Sequence, residues 1–189
     1  MAPSLPNIVL VGLSGCGKTS VGKIMACQFG WGFLDLDAWI EDFHSDTIVN
    51  IIHTKGLKEF RKLESIALNK ILSVKNHIIS LGGGTLLERN NRAIVNKLGT
   101  VVWIDVSTQI IARRFLKSKA LLDKRPLLCD RSGSDIDSNC FQFKSLCDKL
   151  EVLLAERKVW FNRSKLMVKA DYLTAELCAL RIRYLVRNY

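Results

Sequence analysis

The most constraining feature of the sequence is a glycine-rich segment that directly follows an apolar run. The run is Ile8-Val9-Leu10-Val11, and the segment after it reads Gly12-Leu13-Ser14-Gly15-Cys16-Gly17-Lys18-Thr19. A β-branched run of this length predicts a buried parallel strand, and apolar residues recur at helical spacing across positions 21–29. Strand, loop and helix therefore follow one another in the order that a phosphate-binding P-loop requires.

Glycines suit such a loop because successive backbone N–H groups must approach an anion closely, which side chains would prevent. Lys18 would supply a cation for the terminal phosphates and Thr19 a hydroxyl for magnesium, while the helix that starts there directs its positive end at the phosphates. A chance glycine-rich turn is the alternative, but every fixed position of the motif is filled. We expect the nucleotide to contact Gly12, Leu13, Ser14, Gly15, Cys16, Gly17, Lys18, Thr19 and Ser20.

Length and charge limit the class of protein. The chain has 189 residues, 48% of them hydrophobic, which predicts one domain over residues 1–189. Its 28 Lys and Arg against 18 Asp and Glu give a net charge of +10, which suits anionic partners. Because the basic residues are scattered, we expect anionic small molecules and no nucleic acid. We also expect a monomer.

Cysteine usage and the N-terminus predict the compartment. No two cysteines form a C-x-x-C pair, and six residues precede the first predicted strand, which begins at Asn7; six are too few for a secretion segment. No apolar stretch reaches the length of a membrane span. We therefore expect a cytoplasmic protein, without a membrane partner, whose thiols are reduced. The cysteines are Cys16, Cys27, Cys129, Cys140, Cys147 and Cys178.

Two acidic residues end the second predicted strand, Phe33-Leu34-Asp35-Leu36-Asp37. In a strand, Asp35 and Asp37 would project from the same face, so two carboxylates would meet at one strand end. Paired acids beside a nucleotide suggest metal binding and base chemistry. The alternative is that Asp37 caps a helix beginning at Ala38, which would explain one aspartate and not the other.

The next segments combine a charged pair with a run of glycines. Residues 47–74 are predicted to be helical, and Arg61 and Glu64 stand three apart there, as in many solvent-exposed pairs. The strand His77-Ile78-Ile79-Ser80-Leu81 then runs into Gly82-Gly83-Gly84. Three glycines at a strand end indicate close approach of a bound ligand, since a bulge or tight turn needs only one or two.

The second half of the chain supplies further elements and a candidate lid. We predict a helix over 91–97, a strand over 100–105, a helix over 107–115, a long helix over 141–161, a strand at 166–168 and a terminal helix opened by Thr174. Asp105 ends its strand in the manner of a metal-binding acid, but we favour Asp35 for that role and interpret Asp105 as a helix cap. The polar segment at about 117–134, with Arg125 before Pro126, is typical of a mobile lid over phosphates.

Taken together, these motifs resemble those of shikimate kinases, in the same order and over nearly the whole chain. The resemblance rests on residues 12–19, Asp35-Leu36-Asp37, Phe60-Arg61 with Glu64, Gly82-Gly83-Gly84, Arg125-Pro126-Leu127-Leu128 and Arg157. It implies a P-loop kinase fold of the three-layer α/β/α kind, with a five-stranded parallel sheet in the order 2-3-1-4-5. The implied reaction is transfer of the γ-phosphoryl group of ATP to the 3-hydroxyl of shikimate, on the route to chorismate and the aromatic amino acids.

The resemblance also implies roles for individual residues. Asp37 would orient or deprotonate the attacking hydroxyl, and Lys18 and Arg125 would neutralise charge on the phosphates. Magnesium would be held by Thr19 and, through water, by Asp35. Arg114 would lie against the adenine, and Arg125 would also contact ATP. The helical segment at about 38–73 would bind shikimate, and the substrate-binding residues would be Asp37, Arg61, Gly82, Gly83, Gly84 and Arg157.

The chain departs from the family pattern after Arg157. The family's usual Arg-x-Pro-x-Tyr is here Arg157-Lys158-Val159-Trp160-Phe161, and the stretch between Leu128 and Arg157 is longer than usual. A related gluconate-type kinase would share the P-loop but would not need Asp37, Arg61 and Arg157 together. A catalytically silent relative would be expected to lose Lys18 or the acidic pair, and a nucleic-acid-dependent ATPase would be expected to carry a recognition motif.

Overall fold

The fold is built on one parallel sheet. The computed structural model describes residues 6–118, 122, 127–128 and 139–188. Within these residues, five parallel strands lie in the order β2-β3-β1-β4-β5, as the family resemblance implied. The strands are β1 (Asn7–Val11), β2 (Gly32–Asp35), β3 (His77–Ser80), β4 (Gly99–Asp105) and β5 (Leu166–Lys169).

Helices surround this sheet and complete the three-layer α/β/α arrangement. α1 packs against α8 and the strands β1 to β3, whereas α5 packs against β1, β4 and α4. The helices are α1 (Lys18–Phe29), α2 (Leu36–His44), α3 (Ile48–Lys55), α4 (Leu57–Lys70), α5 (Arg89–Leu98), α6 (Thr108–Lys117), α7 (Asn139–Phe161) and α8 (Ala175–Arg187). A short 3-10 turn, Thr85–Leu87, precedes α5.

The central strand explains why the first apolar run is uninterrupted. All five residues of β1 are buried, because parallel sheets are covered by helices on both faces. The parallel order also brings the carboxyl ends of β1, β2 and β3 to one edge of the sheet. In open parallel sheets, ligands bind at this edge, and the P-loop, the acidic pair and the glycine triplet all follow these three strand ends.

The structure corrects the prediction that Asp35 and Asp37 project from the same face of a strand. β2 ends at Asp35 and α2 begins at Leu36, so Asp37 lies in the first turn of a helix and shares no strand face with Asp35. The helix cap is Asp35, whose Oδ1 accepts a hydrogen bond from the Asp37 backbone N–H at 3.2 Å. The capping bond explains the early helix start, and the alternative that Asp37 is the cap is also wrong.

The predicted lid falls largely outside the described residues. Arg125, Lys124 and Arg131 are among those that the structure leaves undescribed, and so is most of the segment at 117–134. The structure describes the last two residues of the predicted motif Arg125-Pro126-Leu127-Leu128: Leu127 is exposed and Leu128 is buried. The Leu128 carbonyl accepts a hydrogen bond from Lys149 Nζ at 3.3 Å. No helix in the described part of the chain is both long and apolar enough to cross a membrane.

Asn7 links several chain segments by hydrogen bonds at the amino-terminal edge of the sheet. Its buried side chain donates from Nδ2 to the carbonyls of Val74 at 2.7 Å and Leu98 at 3.0 Å, and its Oδ1 accepts from the His77 N–H at 3.0 Å. These bonds tie the start of β1 to the start of β3 and the end of α5. One side chain therefore satisfies three backbone groups that no sheet ladder reaches.

We predict that Asn7→Ala lowers the free energy of unfolding by about 2–4 kcal/mol, because it leaves backbone groups without partners in the protein interior. Asn69→Ala is the matched control, since Asn69 donates to the Ser65 carbonyl on the exposed face of α4. The control should change stability by less than about 0.5 kcal/mol. Urea denaturation of both variants measures the difference, and equal losses would contradict this role for Asn7.

Candidate active site

The P-loop takes its shape from glycines with positive φ. Gly12, Gly15 and Gly17 have φ values of 144°, 83° and 106°, a region that residues with a Cβ rarely adopt. Gly17 is the N-cap of α1, and a Cβ on Gly15 would lie 2.7 Å from the Phe115 ring of α6. Both conformation and space therefore require glycine, and the loop closes onto the N-terminus of α1.

Two cations are bound to the carbonyls of this loop. Lys18, which is buried, donates from Nζ to Gly12 O at 3.0 Å and to Leu13 O at 2.9 Å. Arg114, from α6, donates to the carbonyls of Gly15 and Cys16, both at 3.1 Å. Carbonyl dipoles thus compensate both charges here, and an incoming polyphosphate would offer these cations full negative charges instead.

Thr19 and Asp35 form a pair of oxygen donors beside the loop. The Thr19 hydroxyl donates to Asp35 Oδ2 at 2.7 Å. Among the described residues, no three His, Cys, Asp or Glu side chains are grouped to hold a metal ion. Magnesium is typically bound by one or two protein oxygens and completed by phosphates and water, so this donor set fits magnesium together with a nucleotide.

A cavity of about 630 Å³ extends from the P-loop toward the start of α8. Asp35, Asp37, Arg114 and Lys117 line it, as does the run Ser14–Val21. Its far wall is formed by residues that carry no recognisable motif, namely Ala170, Leu173, Thr174, Ala175 and Cys178. Burial raises the pKa of the Cys178 thiol to about 11, so this part of the wall is uncharged at neutral pH.

A second, smaller pocket adjoins the first and contains two arginines. Ser14, Asp37 and Gly83 line both cavities, so Asp37 lies where the two meet. Arg61 and Arg157 line the smaller pocket, as do Leu127 and Leu128. The pocket therefore presents guanidinium groups next to an aspartate that also faces the P-loop.

The Arg61 and Glu64 pair is part of the protein interior. Glu64 is completely buried, and its Oε2 forms an ion pair with Arg61 Nη1. The pair is therefore not of the solvent-exposed kind that its spacing alone would suggest. Burying an ion pair away from water destabilises the fold unless the remaining polar groups of the pair are also hydrogen-bonded. The other contacts of Glu64 are therefore important.

Arg157 and Ser14 bring unsatisfied polar atoms to the same pocket. Arg157 is 5% exposed, and its Nε, like the Ser14 hydroxyl, is buried without a hydrogen-bond partner among the described residues. Burial lowers the pKa of the Arg157 guanidinium from its usual value, and the nearby Arg61 charge lowers it further. Buried unpaired groups are rare and destabilising, so their convergence on one pocket indicates a polar ligand.

The glycine triplet makes room for these side chains. None of the three glycines has a positive φ, so conformation does not require them. A Cβ added to Gly82 would lie 2.7 Å from Asp37 Oδ1 and 2.9 Å from Glu64 Oε1. One added to Gly83 would lie 3.2 Å from Ser14 N and 3.3 Å from Arg157 Nη1. One added to Gly84 would lie 2.8 Å from Arg61 Cζ. At Gly82 and Gly84 a Cβ would therefore displace charged side chains of the site, whereas at Gly83 its contacts would only be tight.

Comparison with known proteins identifies the family. The sequence model described as Shikimate kinase matches residues 14–176. The shikimate kinase of Alkaliphilus oremlandii is 32% identical over 171 residues, which cover 90% of this chain and 92% of that protein. The chain belongs to the shikimate kinase family. Members of this family are ATP-dependent kinases that phosphorylate shikimate.

Solved structures of shikimate kinases agree with this assignment. The enzyme from Acinetobacter baumannii, determined in complex with shikimate, superposes with a TM-score of 0.85 at 30% identity and covers 97% of this chain and 94% of its own. The enzyme from Bacteroides thetaiotaomicron gives a TM-score of 0.81 at 26% identity, covering 96% and 98%. The predicted family and fold are confirmed.

Most residues predicted from the shikimate kinase pattern lie together in the structure. The nucleotide-side residues line the large cavity or form the P-loop, and the substrate-side residues line the small pocket. Arg125 lies outside the described residues, and the individual roles stay predictions. Those in the large cavity are Ser14, Gly15, Cys16, Gly17, Lys18, Thr19, Ser20, Asp35, Asp37 and Arg114, and those in the small pocket are Leu13, Asp37, Arg61, Gly82, Gly83, Gly84 and Arg157.

The altered residues after Arg157 are anchored by aromatic contacts. The Trp160 ring lies 3.6 Å from the Arg92 guanidinium carbon, and Arg92 also donates to the Leu86 and Leu87 carbonyls of the 3-10 turn. One residue further on, Phe161 is buried against Trp103 of β4. The end of α7 is thus fixed without the proline and tyrosine that shikimate kinases usually have, and Arg157 reaches the pocket.

Asp105 does not cap a helix. The N-cap of α6 is Ser107, and its backbone N–H donates to Asp171 Oδ1 at 2.7 Å. Asp105 lines neither cavity. Burial, with a smaller contribution from the charge of Asp171, raises the pKa of the Asp105 carboxyl. The cap residue Ser107 lies two residues beyond the end of β4, and Asp171, which is distant in sequence, accepts the hydrogen bond of its N–H.

We predict that Gly84→Ala displaces the Arg61 guanidinium, because the added methyl would lie 2.8 Å from Arg61 Cζ. Moving this guanidinium also disturbs its ion pair with the buried Glu64, so the melting temperature should fall. The KM for shikimate should rise about tenfold or more through loss of a charged hydrogen bond. Steady-state kinetics with each substrate varied separately is the measurement. An unchanged KM for shikimate, or an equal rise for ATP, would contradict the prediction.

Proposed function

We propose that this chain transfers the γ-phosphoryl group of ATP to the 3-hydroxyl of shikimate, giving shikimate 3-phosphate and ADP. The observation that carries the proposal is the position of Asp37, which lines both the P-loop cavity and the pocket that contains Arg61 and Arg157. An acceptor hydroxyl beside Asp37 would lie between a carboxylate-binding pocket and the phosphate-binding loop. This arrangement suits a small acidic alcohol.

The arginines would hold the substrate carboxylate. A guanidinium offers N–H donors in a planar fork that matches a carboxylate. The Nε of Arg157 has no hydrogen-bond partner among the described residues, and a substrate carboxylate would supply an acceptor for it, which supports this use. Arg61, oriented by Glu64, would bind the same group. The backbone along Gly82, Gly83 and Gly84 would approach the ring hydroxyls.

Asp37 would act on the attacking hydroxyl. As the bond forms between the 3-oxygen and the γ-phosphorus, the bond from that phosphorus to the bridging oxygen of ADP breaks, and the hydroxyl proton passes to the Asp37 carboxylate. The adjoining Asp35 is already engaged by Thr19 and by the Asp37 N–H. The two carboxylates are therefore suited to different tasks.

Charge on the phosphates would be neutralised by residues of the loop. Lys18 would exchange the carbonyls of Gly12 and Leu13 for phosphate oxygens, and the N-terminus of α1 would face the same group. Thr19, with Asp35 through water, would hold magnesium, which supplies positive charge next to the transferring group. We assign Arg125 to the same task, from a lid at about 117–134, and Arg114 to the nucleotide.

A substrate panel tests the proposed function directly. Coupled ADP release is measured with shikimate, quinate and gluconate, with ATP and magnesium in each assay. We expect turnover with shikimate that exceeds the others, because gluconate and quinate present their hydroxyls in a different geometry to Asp37. Turnover with gluconate alone would overturn the proposal in favour of a related small-molecule kinase.

We predict that Asp37→Asn lowers kcat at least about 100-fold, the usual effect of removing a general base, while nucleotide affinity stays unchanged. Asp35→Asn is the comparison within the same pair. It should instead raise the magnesium concentration needed for half-maximal rate, because it weakens an oxygen ligand near Thr19. If Asp37→Asn keeps more than about a tenth of the wild-type kcat, the base assignment is wrong.

We also infer that the enzyme acts as a monomer of 21.3 kDa in the cytoplasm, with no nucleic acid or membrane partner. All the groups invoked above come from one chain, which supports the monomer. The four cysteines whose side chains are described are free thiols, as suits a reducing compartment. Light scattering during size exclusion would give a single mass near 21.3 kDa, whereas twice that mass would contradict the inference.

A further inference from the structure

Glu64 has a second partner that the sequence pattern does not indicate. Its Oε1 accepts a hydrogen bond from Thr85 Oγ1 at 2.6 Å, while its Oε2 pairs with Arg61. Thr85 and Glu64 are both 0% exposed. The carboxylate is thus held at both oxygens by different residues, one on α4 and one on the 3-10 turn.

Thr85 is itself fixed in position. Its backbone N–H donates to Gly82 O at 3.2 Å, and its carbonyl accepts from Asn91 Nδ2 at 3.0 Å. Asn91 is also 0% exposed. Because no water reaches this hydroxyl and its backbone is held on both sides, its proton is directed at Glu64 by the fold.

The division of the Glu64 oxygens matters for substrate binding. A carboxylate can accept two parallel bonds from one guanidinium, and the terminal torsion of glutamate is soft enough to allow that. If both Glu64 oxygens turned to Arg61, they would occupy N–H donors that a substrate carboxylate needs. Thr85 keeps one oxygen engaged elsewhere, so Arg61 retains free donors toward the pocket.

The same hydroxyl lies close to two acids. Asp37 Oδ1, Glu64 Oε1 and Thr85 Oγ1 all lie within 3.0 Å of the point where a Cβ on Gly82 would stand. A hydrogen bond donated to Glu64 at this place offsets part of the repulsion between the two carboxylates.

We propose that Thr85 is a positioning residue for substrate binding: its hydroxyl holds Glu64 in a one-oxygen contact with Arg61, so that the guanidinium stays available for the substrate carboxylate. This inference rests on the proposed function and assigns part of the affinity for shikimate to Thr85, a residue outside the motifs.

The test compares Thr85→Val, which keeps the shape and removes the hydroxyl, with Thr85→Ser, which keeps the hydroxyl. For Thr85→Val we expect the KM for shikimate, and its Kd by calorimetry, to rise about tenfold or more. The kcat and the KM for ATP should stay within about twofold. Thr85→Ser should restore the shikimate KM to within about threefold of the wild type.

Thr108→Val is the matched control. Thr108 is also buried and donates to a glutamate, Glu151, at 3.4 Å, but it lines neither cavity. It should leave the KM for shikimate unchanged. If Thr85→Val and Thr108→Val behaved alike, or if Thr85→Val raised both KM values equally, the hydroxyl would serve only the fold and the proposal would be overturned.

A double-mutant cycle shows whether Thr85 acts through Glu64. In a Glu64→Gln background, Thr85→Val should have little further effect on the KM for shikimate. A full additional loss would overturn the proposal. Absence of wild-type turnover with shikimate would instead refute the proposed function and this inference with it, whereas normal wild-type turnover with an unaffected Thr85→Val variant would refute this inference alone.

Discussion

The buried ion pair between Arg61 and Glu64 is the constraint on which the acceptor side of the structure depends. A fully buried carboxylate is tolerated only when its oxygens are bonded, and here Arg61 and Thr85 provide those bonds. Both bonds require that the chain at Gly82 and Gly84 carry no side chain. The helix α4, the strand end and the 3-10 turn are therefore fixed relative to one another by electrostatics and space together.

The sheet order joins this acceptor pocket to the phosphate-binding loop. Because β3 and β1 are neighbours, the chain after β3 passes next to the loop after β1, and Gly83 comes close to Ser14. β2 on the outer side of β3 delivers Asp37 to the same edge. Each strand end thus contributes one chemical function, and phosphoryl transfer needs little beyond their correct placement.

The parts predicted from sequence were those whose signals are local. The P-loop, with its fixed glycines and flanking elements, needs no tertiary information, and the start of the terminal helix at Thr174 is a local signal as well. The start of α2 was predicted wrongly because the capping bond of Asp35 to the Asp37 N–H competes with strand geometry. Thr85 could not be found at all, since its partner Glu64 lies 21 residues away and nothing in the spacing predicts that contact.

Recognition of a carboxylate by Arg61 and Arg157 can be measured by calorimetry with shikimate and its neutral carboxamide. The two ligands share ring and hydroxyls and differ only in the group that Arg61 and Arg157 would bind. We expect the carboxamide to bind roughly 100-fold more weakly, through loss of at least two charged hydrogen bonds. Equal affinities for the two ligands would contradict it.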